Sequence, residues 1–251
     1  MLPTLTWILG RGGLLGTHLA RACKAEQHFS LWESRIPRFS WEEPARLHGE
    51  LRRAVADFGR AIQLQNAPRW MAMWAAGRSS MRTGEDLLAE EVGTWSSLLH
   101  ALREMQESLG EGRRGTLFLS SSAGGVYAGN NGEITETTPP APLSPYGHAK
   151  LRQERLLEEW AQTLPNISFL IGRLTNLYGE EQNLRKPQGI ISHLVRCLLH
   201  HLPIHIAVPL DTIRDYLYGG DAARAIVRCL AMLDAGTHGV AQGLGKISAA
   251  E

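Results

Sequence analysis

The segment WILGRGGLLGTHLA, residues 7–20, runs from three apolar residues, Trp7, Ile8 and Leu9, into glycines at positions 10, 12, 13 and 16. An apolar strand that turns sharply into a helix leaves the first backbone N–H groups of that helix without partners. Those groups and the helix dipole attract a phosphate, and glycine lets the backbone approach one closely. Gly10, Gly13 and Gly16 make G-x-x-G-x-x-G, with Leu14 and Leu15 opening the helix. The stricter G-x-G-x-x-G does not fit, because position 15 is Leu. The competing reading is an ordinary glycine-rich turn. Its place between the first strand and the first helix favours a dinucleotide phosphate site.

Outward from this loop, apolar runs alternate with helical patterns. Strands are expected at Thr6–Leu9, Phe29–Trp32, Trp70–Trp74, Thr116–Ser120 and Ser168–Ile171. Helices are expected at Leu14–Cys23, Pro44–Ala61, Leu87–Leu109 and Tyr146–Leu164. That alternation predicts an α/β fold, a Rossmann-type doubly wound parallel sheet. Residues 128–145 are rich in Gly, Asn, Thr and Pro and read as a long functional loop. After about Tyr178 the alternation weakens, leaving helices at Ile190–His201 and Gly220–Asp234. The expected division is a dinucleotide-binding domain over 1–178 and a small substrate lobe over 179–251, with elements able to return to the sheet.

The second expected strand ends in FSLWESRIPRF, residues 29–39. An acid there, Glu33, suits the ribose hydroxyls of NAD, whereas arginines suit the 2′-phosphate of NADP. Ser34, Arg35 and Arg38 follow Glu33, and Arg11 lies in the glycine loop. Guanidinium groups hold phosphates through paired hydrogen bonds, so the balance favours NADP over NAD.

SPYGHAK, residues 144–150, places Tyr146 and Lys150 four apart, on one face of a helix. A phenol is a poor base because its reference pKa is about 10. An ammonium nearby stabilises the phenolate, which makes such a pair a candidate for proton exchange with an alcohol. LFLSSSAGGVYAG, residues 117–129, sets Ser120, Ser121 and Ser122 at the carboxyl end of a strand, where open α/β sheets place their chemistry. A hydroxyl there can orient a substrate oxygen, or simply satisfy loop backbone.

In order, the glycine loop, WAAG at 74–77, SSSAGGVY at 120–127, YGHAK at 146–150, GRLTNLYGEEQ at 172–182 and TIRDYLYGGDAARAI at 212–226 resemble the extended short-chain dehydrogenase/reductase superfamily. The resemblance is to its nucleotide-sugar epimerases and dehydratases, and it covers nearly the whole chain. It implies Tyr146 as acid/base, Lys150 as its partner on the nicotinamide ribose, and Ser122 as the serine, with Ser121 as fallback. It implies cofactor contacts at Gly10, Arg11, Gly13, Leu14, Leu15, Gly16, Ser34, Arg35, Ala75, Ala76, Gly77 and Ser120. It further implies Asn176 against the sugar nucleotide and Arg214 on its phosphates, the latter competing with a surface ion pair to Asp215. The activity implied is epimerisation or oxidoreduction of a nucleotide-linked sugar. Dehydration is disfavoured, because Ala123 and Gly124 stand where an acid pair would be needed. An NADPH-dependent carbonyl reductase, or a binding protein without turnover, are the alternatives.

The chain also departs from that family. The stretch at 39–61 looks helical where the family has a third strand with an Asp. Glu90 and Glu91 stand near a usual Asn, and Glu180 replaces a Pro after YG. The C-terminal lobe reads as truncated or minimal, since GVAQGLGKISAAE resembles a strand and loop after which family members continue.

Charge and composition bound the partners. With 26 basic and 25 acidic residues, nothing points to nucleic acid or a membrane surface. Cys23, Cys197 and Cys229 form no CxxC pair, so a reducing, cytoplasmic setting is expected, with no signal peptide or membrane span. His193, His200, His201 and His205 cluster without a carboxylate or cysteine at ligand spacing, so no metal is expected. Trp95, Leu98, Leu99 and Leu102 form a stripe that faces either the sheet or a second subunit, as in a homodimer.

Overall fold

The computed structural model describes residues 3–81, 83–135, 137–184, 189–204, 212–233 and 238–242. His205 and the GKISAAE stretch lie outside them. Six parallel strands form the main sheet: β1 (Thr4–Leu9), β2 (Phe29–Trp32), β3 (Arg69–Trp74), β4 (Arg114–Ser122), β5 (Ile167–Leu174) and β8 (His238–Gln242). Their spatial order is β2-β1-β3-β4-β5-β8. Strands β6 (Asn176–Tyr178) and β7 (Tyr216–Tyr218) form a separate parallel ladder. Helices are α1 (Leu14–Ala25), α2 (Pro44–Leu64), α3 (Glu85–Leu109), α4 (Ala123–Val126), α5 (Pro145–Gln162), α6 (Ile190–Leu199) and α7 (Gly219–Met232). Each of the five strands and six longer helices read from the sequence is present, with ends shifted by a few residues. The 44–64 stretch is one helix with no strand inside it.

Period-two alternation sends successive side chains to opposite faces. Trp70, Ala72 and Trp74 of β3 join one core with Trp7 and Leu119 of the neighbouring strands, beneath α2, α3 and α5. Met71 and Met73 join the other with Ile8 and Phe118, beneath α1 and α7. Helices on both faces leave the central strands buried, and every residue of β5 is buried. Trp95, Leu98, Leu99 and Leu102 lie in the first of these cores, so the stripe faces the interior. Trp7, Trp70, Trp74, Trp95 and Trp160 are buried, in keeping with a packing role. Trp95 Nε1 donates to the Gln153 carbonyl at 3.0 Å and so ties α3 to α5.

Beyond β5, helix α7 packs on α1 and β8 pairs with β5. The segment after 178 therefore contributes to the layers of the main sheet. Among the described residues, no helix is long and apolar enough to cross a membrane. No group of three or more His, Cys, Asp or Glu among them could hold a metal.

Candidate active site

The chain passes from β1 to β2 on one side, then α2 carries it across to β3 on the other side of β1. Strands β1 and β3 stay paired up to Leu9 and Trp74, and the connections that leave the strands run to opposite sides of β1, which opens a crevice, the usual ligand position in such sheets. Gly10 follows β1 with φ of +84°, and a Cβ on it would lie 2.6 Å from the Ala76 nitrogen and 2.7 Å from the Ala75 carbonyl. A Cβ on Gly16 would lie 2.2 Å from the Gly10 carbonyl oxygen. Both positions therefore require glycine: one lets the loop meet the segment after β3, the other lets α1 start against the loop. Gly13 caps α1 without any side-chain hydrogen bond to its first turn. Thr17 supplies the first backbone bond, donating to the Gly13 carbonyl at 2.9 Å, while its hydroxyl donates to the Arg11 carbonyl at 3.0 Å. The first-turn N–H groups of Leu14, Leu15 and Gly16 thus have no capping side chain at position 13.

A cleft of about 580 Å³ opens over this end, lined by Gly10, Gly13, Ala75, Ala76, Gly77 and Arg78, and by residues 38–43 opposite. Its size, its uncapped helix end and its glycine approach fit a dinucleotide. The 38–43 wall includes Arg38 and Trp41; Arg78 donates to the Trp41 carbonyl at 2.7 Å and so holds the wall across the crevice. Arg78 escaped sequence reasoning, because its partner lies 37 positions away. Arg11 and Glu33, rival cues for NADP and NAD, are paired with each other. That hydrogen bond and charge hold the exposed Glu33 carboxyl below its ordinary range. The Ser34 hydroxyl accepts from the Ile36 N–H at 3.1 Å.

The three serines end β4 as expected, but their hydroxyls do different things. Ser121 is buried and donates to Glu154 at 2.5 Å. Glu154 also accepts from Arg173, at 2.6 Å from Nη2, and Arg173 donates to the Tyr127 hydroxyl. Ser121 is thereby committed to a buried network. Ser122 caps the short α4, its hydroxyl accepting from the Gly125 N–H at 3.2 Å. A Cβ on Gly125 would touch the Tyr146 ring at 3.1 Å, and one on Gly147 would lie 2.2 Å from the Gly125 carbonyl oxygen. Bare glycines at 125 and 147 thus bring the Ser122 cap and the Tyr146 ring together.

Ser144 caps α5, accepting from the Gly147 N–H at 3.1 Å, and Pro145 occupies the first turn. Tyr146 and Lys150 then share a face, with the ammonium 5.7 Å from the ring centroid. Lys150 is buried, and its Nζ donates to Glu91 at 3.0 Å and to Gln153 at 3.1 Å. This pair lies under Gly77: a Cβ there would be 3.6 Å from Glu91 Oε1 and 3.9 Å from Lys150 Nζ. Burial works against the Glu91 carboxylate, but Lys150, the Ser79 hydroxyl and the Arg78 N–H outweigh it and hold its pKa below the ordinary value. The sequence flagged Glu91 only as an unusual acid; that it meets Lys150 was not legible.

Asn176 and Arg214 form a second group at one end of the β6–β7 ladder. Asn176 Nδ2 donates to the Asp215 carbonyl at 2.8 Å. Arg214 is exposed and its side chain bonds the Ile213 carbonyl at 2.9 Å, not the Asp215 carboxylate. Among the described residues neither shares a hydrogen bond with Ser122, Tyr146 or Lys150.

A model of the NAD-dependent epimerase/dehydratase family matches residues 6–245. A dTDP-glucose 4,6-dehydratase of Neisseria gonorrhoeae is 32% identical over 148 residues, which make up 57% of this chain and 41% of the relative. The chain thus spans well under two thirds of the length of the curated relatives it matches, of which this is one. Two solved structures share the fold, each covering 95% of this chain and 77% of its own. One is a UDP-glucose 4-epimerase of Thermus thermophilus in complex with NAD, at TM-score 0.68 and 23% identity. The other is RMD of Pseudomonas aeruginosa complexed with NADPH, at TM-score 0.70 and 23% identity.

Proposed function

The chain belongs to the NAD-dependent epimerase/dehydratase family, and from that membership we propose that it is an NAD(P)-dependent epimerase or oxidoreductase of a nucleotide-linked sugar. One observation carries the reading: Tyr146 and Lys150 share a face of α5, with the Lys150 ammonium directly beneath Gly77 of the cofactor cleft. When bound, the nicotinamide accepts or returns hydride at a sugar carbon. The uncapped start of α1, with Gly10, Gly13 and Gly16, holds the diphosphate. Ala75, Ala76 and Gly77 form the cleft floor, and Ser120 lies near the end of the adjacent strand. Arg11, Arg35 and Arg38, with Ser34, favour NADP at the ribose end. Ser122 orients the sugar hydroxyl, and Tyr146 exchanges its proton. Asn176 and Arg214 receive the nucleotide portion. The dehydratase outcome is disfavoured, since no acid follows Ser122: Ala123 and Gly124 form the start of α4.

The test is turnover with NADP or NADPH on a panel of UDP-, GDP- and dTDP-sugars. Tyr146→Phe should lose about 100-fold or more in turnover, the scale of a general acid/base. Its cofactor affinity should stay near that of the parent. Full activity in that variant removes the assignment, and cofactor binding without product from any sugar points to a binding protein.

A further inference from the structure

The proton exchange just described makes no use of Glu91, yet this carboxylate is in direct contact with Lys150. Oε1 accepts from the Lys150 ammonium at 3.0 Å. Oε2 accepts from the backbone N–H groups of Arg78 and Ser79, each at 3.2 Å, and from the Ser79 hydroxyl. Glu91 therefore bridges the loop that floors the cofactor cleft and the lysine of α5. With Glu91 and Gln153 bonded, two of the three N–H groups of the ammonium are occupied, leaving one for the cleft.

Among the described residues, no other charged group bonds Lys150. The Arg78 guanidinium turns to the Trp41 carbonyl and lies 3.7 Å from Glu42. On α5, Glu154 is taken by Arg173 of β5 and by Ser121 of β4. Glu90 of α3 lines the small apolar pocket beside Glu91. Glu91 is thus the counter-charge that Lys150 touches. A carboxylate this close to an ammonium offsets much of the field the ammonium would exert on a phenol a few ångströms away.

We propose that Glu91 is a positioning residue that fixes the Lys150 ammonium beneath Gly77 and offsets its charge, so that Tyr146 acts chiefly as a proton donor and the site favours reduction of a sugar carbonyl. This rests on the Tyr146–Lys150 reading above and adds its preferred direction. In that direction the carbonyl carbon takes hydride from NADPH and the carbonyl oxygen takes the phenolic proton. The products are the alcohol, NADP⁺ and a phenolate, which regains its proton from water.

The experiment is an ultraviolet tyrosinate titration of the NADP-bound protein, each form measured against its own Tyr146→Phe version so that the difference reports Tyr146. Glu91→Gln should ionise Tyr146 about one pH unit lower than the parent, a tenfold change in acid dissociation constant. Glu91→Asn, the smaller neutral amide, should do the same if the glutamine variant folds poorly. Glu91→Asp keeps the charge and should restore the parent midpoint, which a merely structural role would not require. An unchanged or higher midpoint in the folded neutral variant overturns the inference while leaving Tyr146 in place as acid/base. Retained turnover in Tyr146→Phe instead removes the reading beneath it.

Discussion

Two glutamates on different helices, Glu91, mostly covered, and Glu154, fully buried, each sit against one cation, and they differ in what surrounds the pair. Glu154 is 1% exposed, and its side chain meets Arg173 through Nε at 3.1 Å and Nη2 at 2.6 Å, with Ser121 completing the set. Such a pair gains little over an apolar replacement, but removing one partner leaves the other buried and uncompensated. Glu154→Gln keeps the shape and strands the Arg173 charge. It should lower unfolding stability by about 3–5 kcal/mol, read from denaturant midpoints at neutral pH. A loss below about 1 kcal/mol, the ordinary worth of an exposed pair, would mean that water reaches Arg173. Neither pairing was legible in the sequence. Tyr146 and Lys150 were, because four residues on one helix fix their own geometry. Lys150 and Glu91 are 59 positions apart and meet only because α3 packs on α5.

At the level of elements, strands and long helices follow from local pattern: short apolar runs in the sheet and period 3.6 in the helices. The three-residue strands β6 and β7 have no such signal; they exist because residues 176–178 and 216–218 are brought alongside one another from distant parts of the chain. The contact between α4 and α5 is of the same kind. GGVY and YGHAK each look like ordinary glycine-bearing segments, yet Gly125 and Gly147 meet backbone to backbone and set the Tyr146 ring beside the Ser122 cap. Gly147→Ala must push these helices apart, because its Cβ would sit 2.2 Å from the Gly125 carbonyl oxygen. A displacement of about 1 Å at a reacting group costs on the order of 10²-fold in rate. The variant should therefore lose turnover by about that factor while its far-ultraviolet circular dichroism is kept. Unimpaired turnover would show that the spacing of Ser122 and Tyr146 does not matter.

On the scale of the whole molecule, the sheet has helices on both faces and a strand order that reverses beside β1, so the fold itself puts a crevice over Gly10 and Ala76. The absent strand between β2 and β3 follows from residues 44–64 having a helical stripe, with Leu47, Leu51, Ala54, Val55, Phe58 and Ile62 all buried on one side. The crossing helix α2 then makes β2 the edge of the sheet and sets residues 38–43 over the cleft as its wall. A ligand that spans this crevice binds only the folded chain, so it must raise the unfolding temperature by mass action. At one hundred times its dissociation constant a cofactor adds about 2.7 kcal/mol, or about 5–10 °C for a chain of this size. The arginines at the ribose end should make the shift larger with NADPH than with NADH at equal concentration. Equal shifts would assign Arg11, Arg35 and Arg38 to the surface and leave the 2′-position unread. No shift with either would mean that the uncapped end of α1 holds no dinucleotide, and the catalytic reading of Tyr146 would lose its redox partner.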